Sequence, residues 1–114
     1  MTSSGSLLRH WEKSDRIQMP VAIWRGNMKA VVIGEPSGAT MDQIRAVFPR
    51  HKAVVDLFVS RGDVIGIGPF ADLGNMAIFR TREAAEAFAR QDPFILEGVV
   101  KSVVIRDWND TLLA

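Results

Sequence analysis

Three short runs in this 114-residue chain are apolar at consecutive positions: Ala30-Val31-Val32-Ile33, Val64-Ile65 with Ile67 beyond Gly66, and Val103-Val104-Ile105. Successive side chains of a strand point to opposite faces, so a sheet with one wet face reads as alternating apolar and polar residues. Unbroken runs need apolar cover on both faces. Whatever fold these residues adopt must bury a sheet from two sides.

The intervening residues supply one cover. Lys29 to Ile33 predicts a first strand, and Gly34 to Gly38 a loop. Thr40-Met41-Asp42-Gln43 has the capping-box form that opens a helix. That helix carries Ile44, Val47, Phe48, Val54, Val55 and Phe58 at the spacing of one buried stripe. Pro49 lacks the N–H that would reach the carbonyl of Arg45, which predicts a kink or a fresh start. Gly62 after Arg61 predicts the stop. Val64 to Gly68 reads as a second strand, Asp72 to Asn75 as a turn, and Met76 to Phe79 as a third strand. Thr81 caps a second helix with the stripe Ala84, Ala85, Phe88 and Ala89, which Pro93 stops. Val100 to Trp108 is the last strand.

The order β-α-β-β-α-β predicts an α+β, ferredoxin-like fold, with two helices on one face of a four-stranded antiparallel sheet. Two helices cover one face only. A homodimer formed by pairing two sheets face to face would cover the other, with the N-terminal segment as the competing cover. Residues 1–27 read as an N-terminal extension, with a turn around Leu7 to Trp11. Val21 to Trp24 and Lys29 to Ile33 around Gly26-Asn27 could form a hairpin with a short strand at 21–25. The alternative is that the domain proper begins near Met28 and the preceding residues are only an extension. The domain runs over 28–108, and 109–114 is a C-terminal tail.

Composition removes several function classes. There is no cysteine, which excludes disulfides, thiolate chemistry and Cys-based zinc sites. A formal charge of +1 gives no basic footprint for nucleic acid. No apolar run approaches the roughly 18–20 residues of a membrane span, and the N-terminus lacks the apolar stretch of a secretory signal. A cytoplasmic protein without a membrane or nucleic-acid partner is the expectation.

Two polar residues interrupt the helical stripes. His51 falls between Val47/Phe48 and Val54/Val55, where Leu or Val would be ordinary. Burying an imidazole costs free energy unless its nitrogens find partners. A core histidine bonded to a backbone carbonyl is the structural alternative to a functional one. Asp92 continues the second stripe of 85, 88 and 89, at a helix C-terminus where the dipole disfavours negative charge by roughly 0.3–1 kcal/mol. The structural alternative there is a solvated or capping Asp. Antiparallel helices would bring Asp92 beside His51, and Gly68-Pro69 and Gly98 to the same rim. A His–Asp pair in that place could orient the imidazole for proton transfer. Arg50 and Lys52 flank His51 and could hold an anionic substrate, and Phe70 and Phe94 could wall a pocket. Gly66-Ile67-Gly68 opens no helix and so is no phosphate loop. His10 and His51 form no ligand cluster, so no metal site is expected.

These residues resemble the YCII-related domain family, small dimeric α/β-barrel proteins of ferredoxin-like plan. The resemblance covers about 81 residues, 28 to 108. It rests on the interval from His51 to Gly68-Pro69-Phe70, on Gln91-Asp92-Pro93-Phe94 followed by Gly98-Val99, and on Val103 to Trp108. Pro49 close to His51 and the short turn at 72–75 depart from the family's pattern. The resemblance implies a catalytic His–Asp pair, which falls on His51 and Asp92. From the residues themselves we expect a cofactor-free site in which Gly68, Pro69, Phe70 and Phe94 contact a small organic substrate. Some relatives eliminate hydrogen chloride from chlorinated aromatics, and related barrels isomerise lactones. A non-catalytic dimeric ligand-binding or assembly domain is the rival expectation.

Overall fold

The computed structural model describes residues 28–112. The expected turn near Leu7, the strand at 21–25 and His10 lie outside the described residues. In chain order the elements are β1 (Lys29–Pro36), α1 (Met41–Ser60), β2 (Val64–Pro69), β3 (Asn75–Phe79), α2 (Arg82–Ala89), α3 (Pro93–Leu96) and β4 (Val100–Trp108). The strands form one antiparallel sheet in the order β2-β3-β1-β4. This is the ferredoxin-like arrangement that the element order predicts, with one addition, the single-turn helix α3.

Local signals set most of the boundaries. Thr40 Oγ1 accepts from the N–H of Gln43 at 3.1 Å, and Gln43 Oε1 accepts from the N–H of Thr40 at 2.8 Å. The capping box therefore closes in both directions. At the other end of α1, Gly62 takes a φ of 77°, its N–H donates to the carbonyl of Val59, and that of Asp63 donates to Phe58. This paired arrangement satisfies two carbonyls the helix would otherwise leave open.

Pro49 makes no fresh start. Helix α1 runs unbroken for 20 residues with Pro49 inside it. Both Pro49 and Arg45, whose carbonyl loses its donor, sit on the exposed side of the helix, where solvent can replace the missing bond. Pro93 likewise does more than stop α2. It occupies the first position of α3, the helical site that tolerates a residue without N–H.

The main core joins Ala30 and Val32 of β1 and Ala77 and Phe79 of β3 to Phe58 of α1 and Ala84, Ala85 and Phe88 of α2. Phe58, Phe79 and Phe88 meet ring to ring, with centroids 5.0–6.2 Å apart. Complete burial of Phe58 and Phe79 contributes about 1.5–3 kcal/mol each. Residues alternating with this set, Val31 and Ile33 paired with Ile78, Met76 and Val104, put an apolar layer on the opposite face of the sheet. The consecutive apolar runs thus supply both faces, as their pattern requires.

Candidate active site

His51 lies on the face of α1 that looks toward α2 and α3. Of the expected α1 stripe, Val47 and Phe58 are buried, while Phe48 stays half exposed and forms the wall of a cavity beside His51. Asp92 follows α2, where its backbone N–H donates to the carbonyl of Phe88. It is the N-cap of α3 and not merely the tail of α2, because its Oδ1 accepts from the N–H of Phe94 at 3.0 Å. The positive end of α3 therefore offsets the unfavourable dipole expected from α2.

The same oxygen lies 2.6 Å from His51 Nδ1. Asp92 is only 1% exposed and His51 8%. Burying a carboxylate costs several kcal/mol unless charge-assisted hydrogen bonds compensate. Here both partners converge on Oδ1, and Oδ2 is buried without one. With Asp92 ionised, Oδ1 accepts from both, so Nδ1 carries the proton and Nε2 keeps its lone pair. No residue among those described hydrogen-bonds Nε2.

The imidazole sits among aromatic rings. Phe94 stacks on its face with centroids 3.9 Å apart and planes 11° from parallel, Phe88 presents an edge at 6.5 Å, and Phe48 lies tilted at 5.9 Å. His51 borders a cavity of about 410 Å³ whose other walls are mostly apolar, among them Ile44, Phe48, Val55, Ile67 and Val99. Gly68, Pro69, Gly74 and Asn75 close it from the β2–β3 side. Gly74 must be glycine there, since a Cβ would come within 2.7 Å of the carbonyl oxygen of Gly34.

The structure brings together His51, Asp92, Phe94, Gly68 and Pro69. Phe70 is exposed at the turn after β2 and does not line the cavity. Gly98 borders a separate, more polar depression with Ser37, Gln43 and Arg50. Arg50 turns away from the cavity and makes a two-pronged ion pair with Glu97, the C-cap of α3. The hydrogen bond from Arg50 holds the Glu97 carboxyl below the usual glutamate range, and Glu97 raises the Arg50 guanidinium in turn. This second tie between α1 and α3 was not legible in the sequence, because Glu97 carries no local signal of its partner 47 residues away. Lys52 reaches the cavity rim, where it pairs with Asp56 at 2.7 Å. Among the described residues no three His, Asp or Glu side chains gather as a metal site would need.

No curated protein sequence matches the chain. Solved structures resemble it, among them the following two. One is the 5-chloro-2-hydroxyhydroquinone dehydrochlorinase of Burkholderia phenoliruptrix AC1100, in complex with 2,5-dihydroxybenzoquinone. It has a TM-score of 0.61 and 14% identity, over 74% of this chain and 96% of that one. The other is a conserved protein from Methanosarcina mazei Go1, with a TM-score of 0.50 and 11% identity over 78% of this chain and 99% of that one. Identities this low speak for the fold alone. The model of the YCII-related domain matches residues 19–109, most of the chain. The chain belongs to the YCII-related domain family.

Proposed function

We propose that the protein is an enzyme that moves a proton on a small, largely apolar organic molecule, with His51 as the general acid/base. One observation carries this reading: His51 is held by Asp92 through Nδ1 and borders a mostly apolar cavity, and Nε2 has no hydrogen-bond partner among the described residues. Nε2 takes a proton from a carbon or hydroxyl of the substrate. In an elimination the released electron pair forms the new double bond and the leaving group departs with its own pair. In an isomerisation the proton returns at another atom. Asp92 holds the tautomer and stabilises the imidazolium that forms in between. Backbone groups near Gly68 and the ring of Pro69 contact the substrate. The dehydrochlorinase of similar fold carries out an elimination according to its name, which makes halogenated hydroquinones sensible first compounds to assay.

The outer face of the sheet, with Ile33, Met76, Ile78 and Val104, is the surface through which we expect two copies to pair. A non-catalytic binding or assembly domain remains the rival reading. It is favoured by the cap that Asp92 makes to Phe94, since that bond would be needed for structure alone. A screen of ring-sized compounds for chloride release or isomerisation separates the two. His51→Ala should lower any turnover found by roughly 10²–10⁴-fold. Undiminished turnover in that variant would remove the proposal.

A further inference from the structure

We propose that Phe94 is a positioning residue for His51, one that fixes the plane of the imidazole so that Nε2 faces the cavity, and not simply a wall for the substrate. The inference rests on the reading of His51 as the proton-transfer group.

A hydrogen bond through Nδ1 anchors one edge of the ring but leaves it free to tilt about that contact. A ring lying flat on its face removes this freedom. Phe94 does so at 3.9 Å and 11°, nearer to parallel than either other aromatic neighbour. Phe88 meets the imidazole edge-on at 78°, so the ring is limited from a second direction. A positive charge on the imidazole would also lie against the electron-rich face of Phe94, a favourable arrangement during proton transfer.

The local chain explains why Phe94 is in this place. Pro93 has no N–H, so the first donor that α3 offers its cap is the N–H of Phe94. That donor bonds to Asp92 Oδ1, the oxygen that also contacts His51 Nδ1. One carboxylate oxygen therefore locates both the edge of the imidazole and the backbone that carries the ring on its face. Asp92-Pro93-Phe94 acts as a single bracket.

Phe94 also packs with Val47 and Val99 in a small second core cluster, and a purely structural role there is the competing account. NMR relaxation of the His51 ring in the full-length protein tells them apart. Wild type in mildly alkaline buffer should show a ring order parameter of about 0.85, with ¹⁵N shifts of one tautomer protonated at Nδ1. Phe94→Leu keeps apolar contact with Val47 and Val99 but removes the stack. The order parameter should fall below about 0.6, while the shifts keep the Nδ1-protonated tautomer that Asp92 holds. Phe94→Tyr should restore the ring order. If the Leu variant fails to fold, Phe94→Met offers an unbranched filler for the same space. A folded Leu or Met variant with wild-type ring order overturns the inference. Failure of the proton-transfer reading would look different: His51→Ala would keep its turnover whatever the ring data showed.

Discussion

Oδ1 of Asp92 lies 2.6 Å from Nδ1 of His51 across 41 residues of chain, and the same atom caps the helix that begins at Pro93. Structural and chemical roles therefore meet in one oxygen. A substitution that keeps the cap while changing the partner offered to the imidazole should separate them.

Asp92→Asn is that substitution. Its amide oxygen, in the place of Oδ1, can still accept from the N–H of Phe94 and from Nδ1. It carries no negative charge, however, so the imidazolium that forms during proton transfer loses its counter-charge. Turnover should drop by roughly 10²–10⁴-fold while the fold persists. Asp92→Ala loses the cap as well, at about 0.5–2 kcal/mol, and leaves the buried Nδ1 without a partner, at about 1–3 kcal/mol more. Chemical denaturation should show the Ala variant clearly less stable than the Asn one. Equal stability of the two would mean that neither the cap nor the bond to Nδ1 contributes.

Gly74→Ala tests the close approach of the β2–β3 turn to β1. The new methyl would meet the carbonyl oxygen of Gly34 at 2.7 Å and Pro36 Cδ at 3.1 Å, and backbone cannot swing aside as a side chain can. Overpacking of this kind costs about 1–3 kcal/mol. For a domain of this size each kcal/mol lowers Tm by roughly 4–8 °C. A melting temperature unchanged in the variant would show that the turn relaxes freely.

The pair Arg50–Glu97 predicts a pH dependence with a definite sign. The hydrogen bond from Arg50 holds Glu97 below its ordinary range in the folded protein. Stabilisation from a lowered carboxyl is fully present above the unfolded value and fades as pH falls through the folded one. Glu97→Gln should therefore lower Tm slightly near neutral pH, and the gap to wild type should close in acid. Both side chains are exposed, so added salt should also shrink the gap. A difference that grows on acidification would contradict the assignment.

Assembly has its own test. Val104 is half exposed on the outer sheet face, beside Ile33 in the β1–β4 register. Light scattering at micromolar concentration should give the mass of a dimer, and Val104→Lys should shift the protein toward monomer by placing a charge in the apolar contact. A monomer mass for wild type would end the sheet-to-sheet proposal.

The order of elements, the capping box at Thr40, the glycine stop at Gly62 and the span Val100–Trp108 were all readable from the chain, because caps, turns and periodicity act over a few residues. His51 and Asp92 also stood out in sequence, as polar residues in apolar stripes. Their distance did not, nor did the choice between a backbone carbonyl and Asp92 as the partner of His51. Helix packing across the sheet decided both, since it sets which turn of α1 faces the start of α3. Tertiary structure likewise turned Phe48 from an expected core residue into a cavity wall, drew Arg50 to Glu97 and left Phe70 off the cavity. It also let α1 continue through Pro49, because the lost hydrogen bond faces outward. In each case the deciding energy is burial or pairing with residues far along the chain, and no local pattern carries that information.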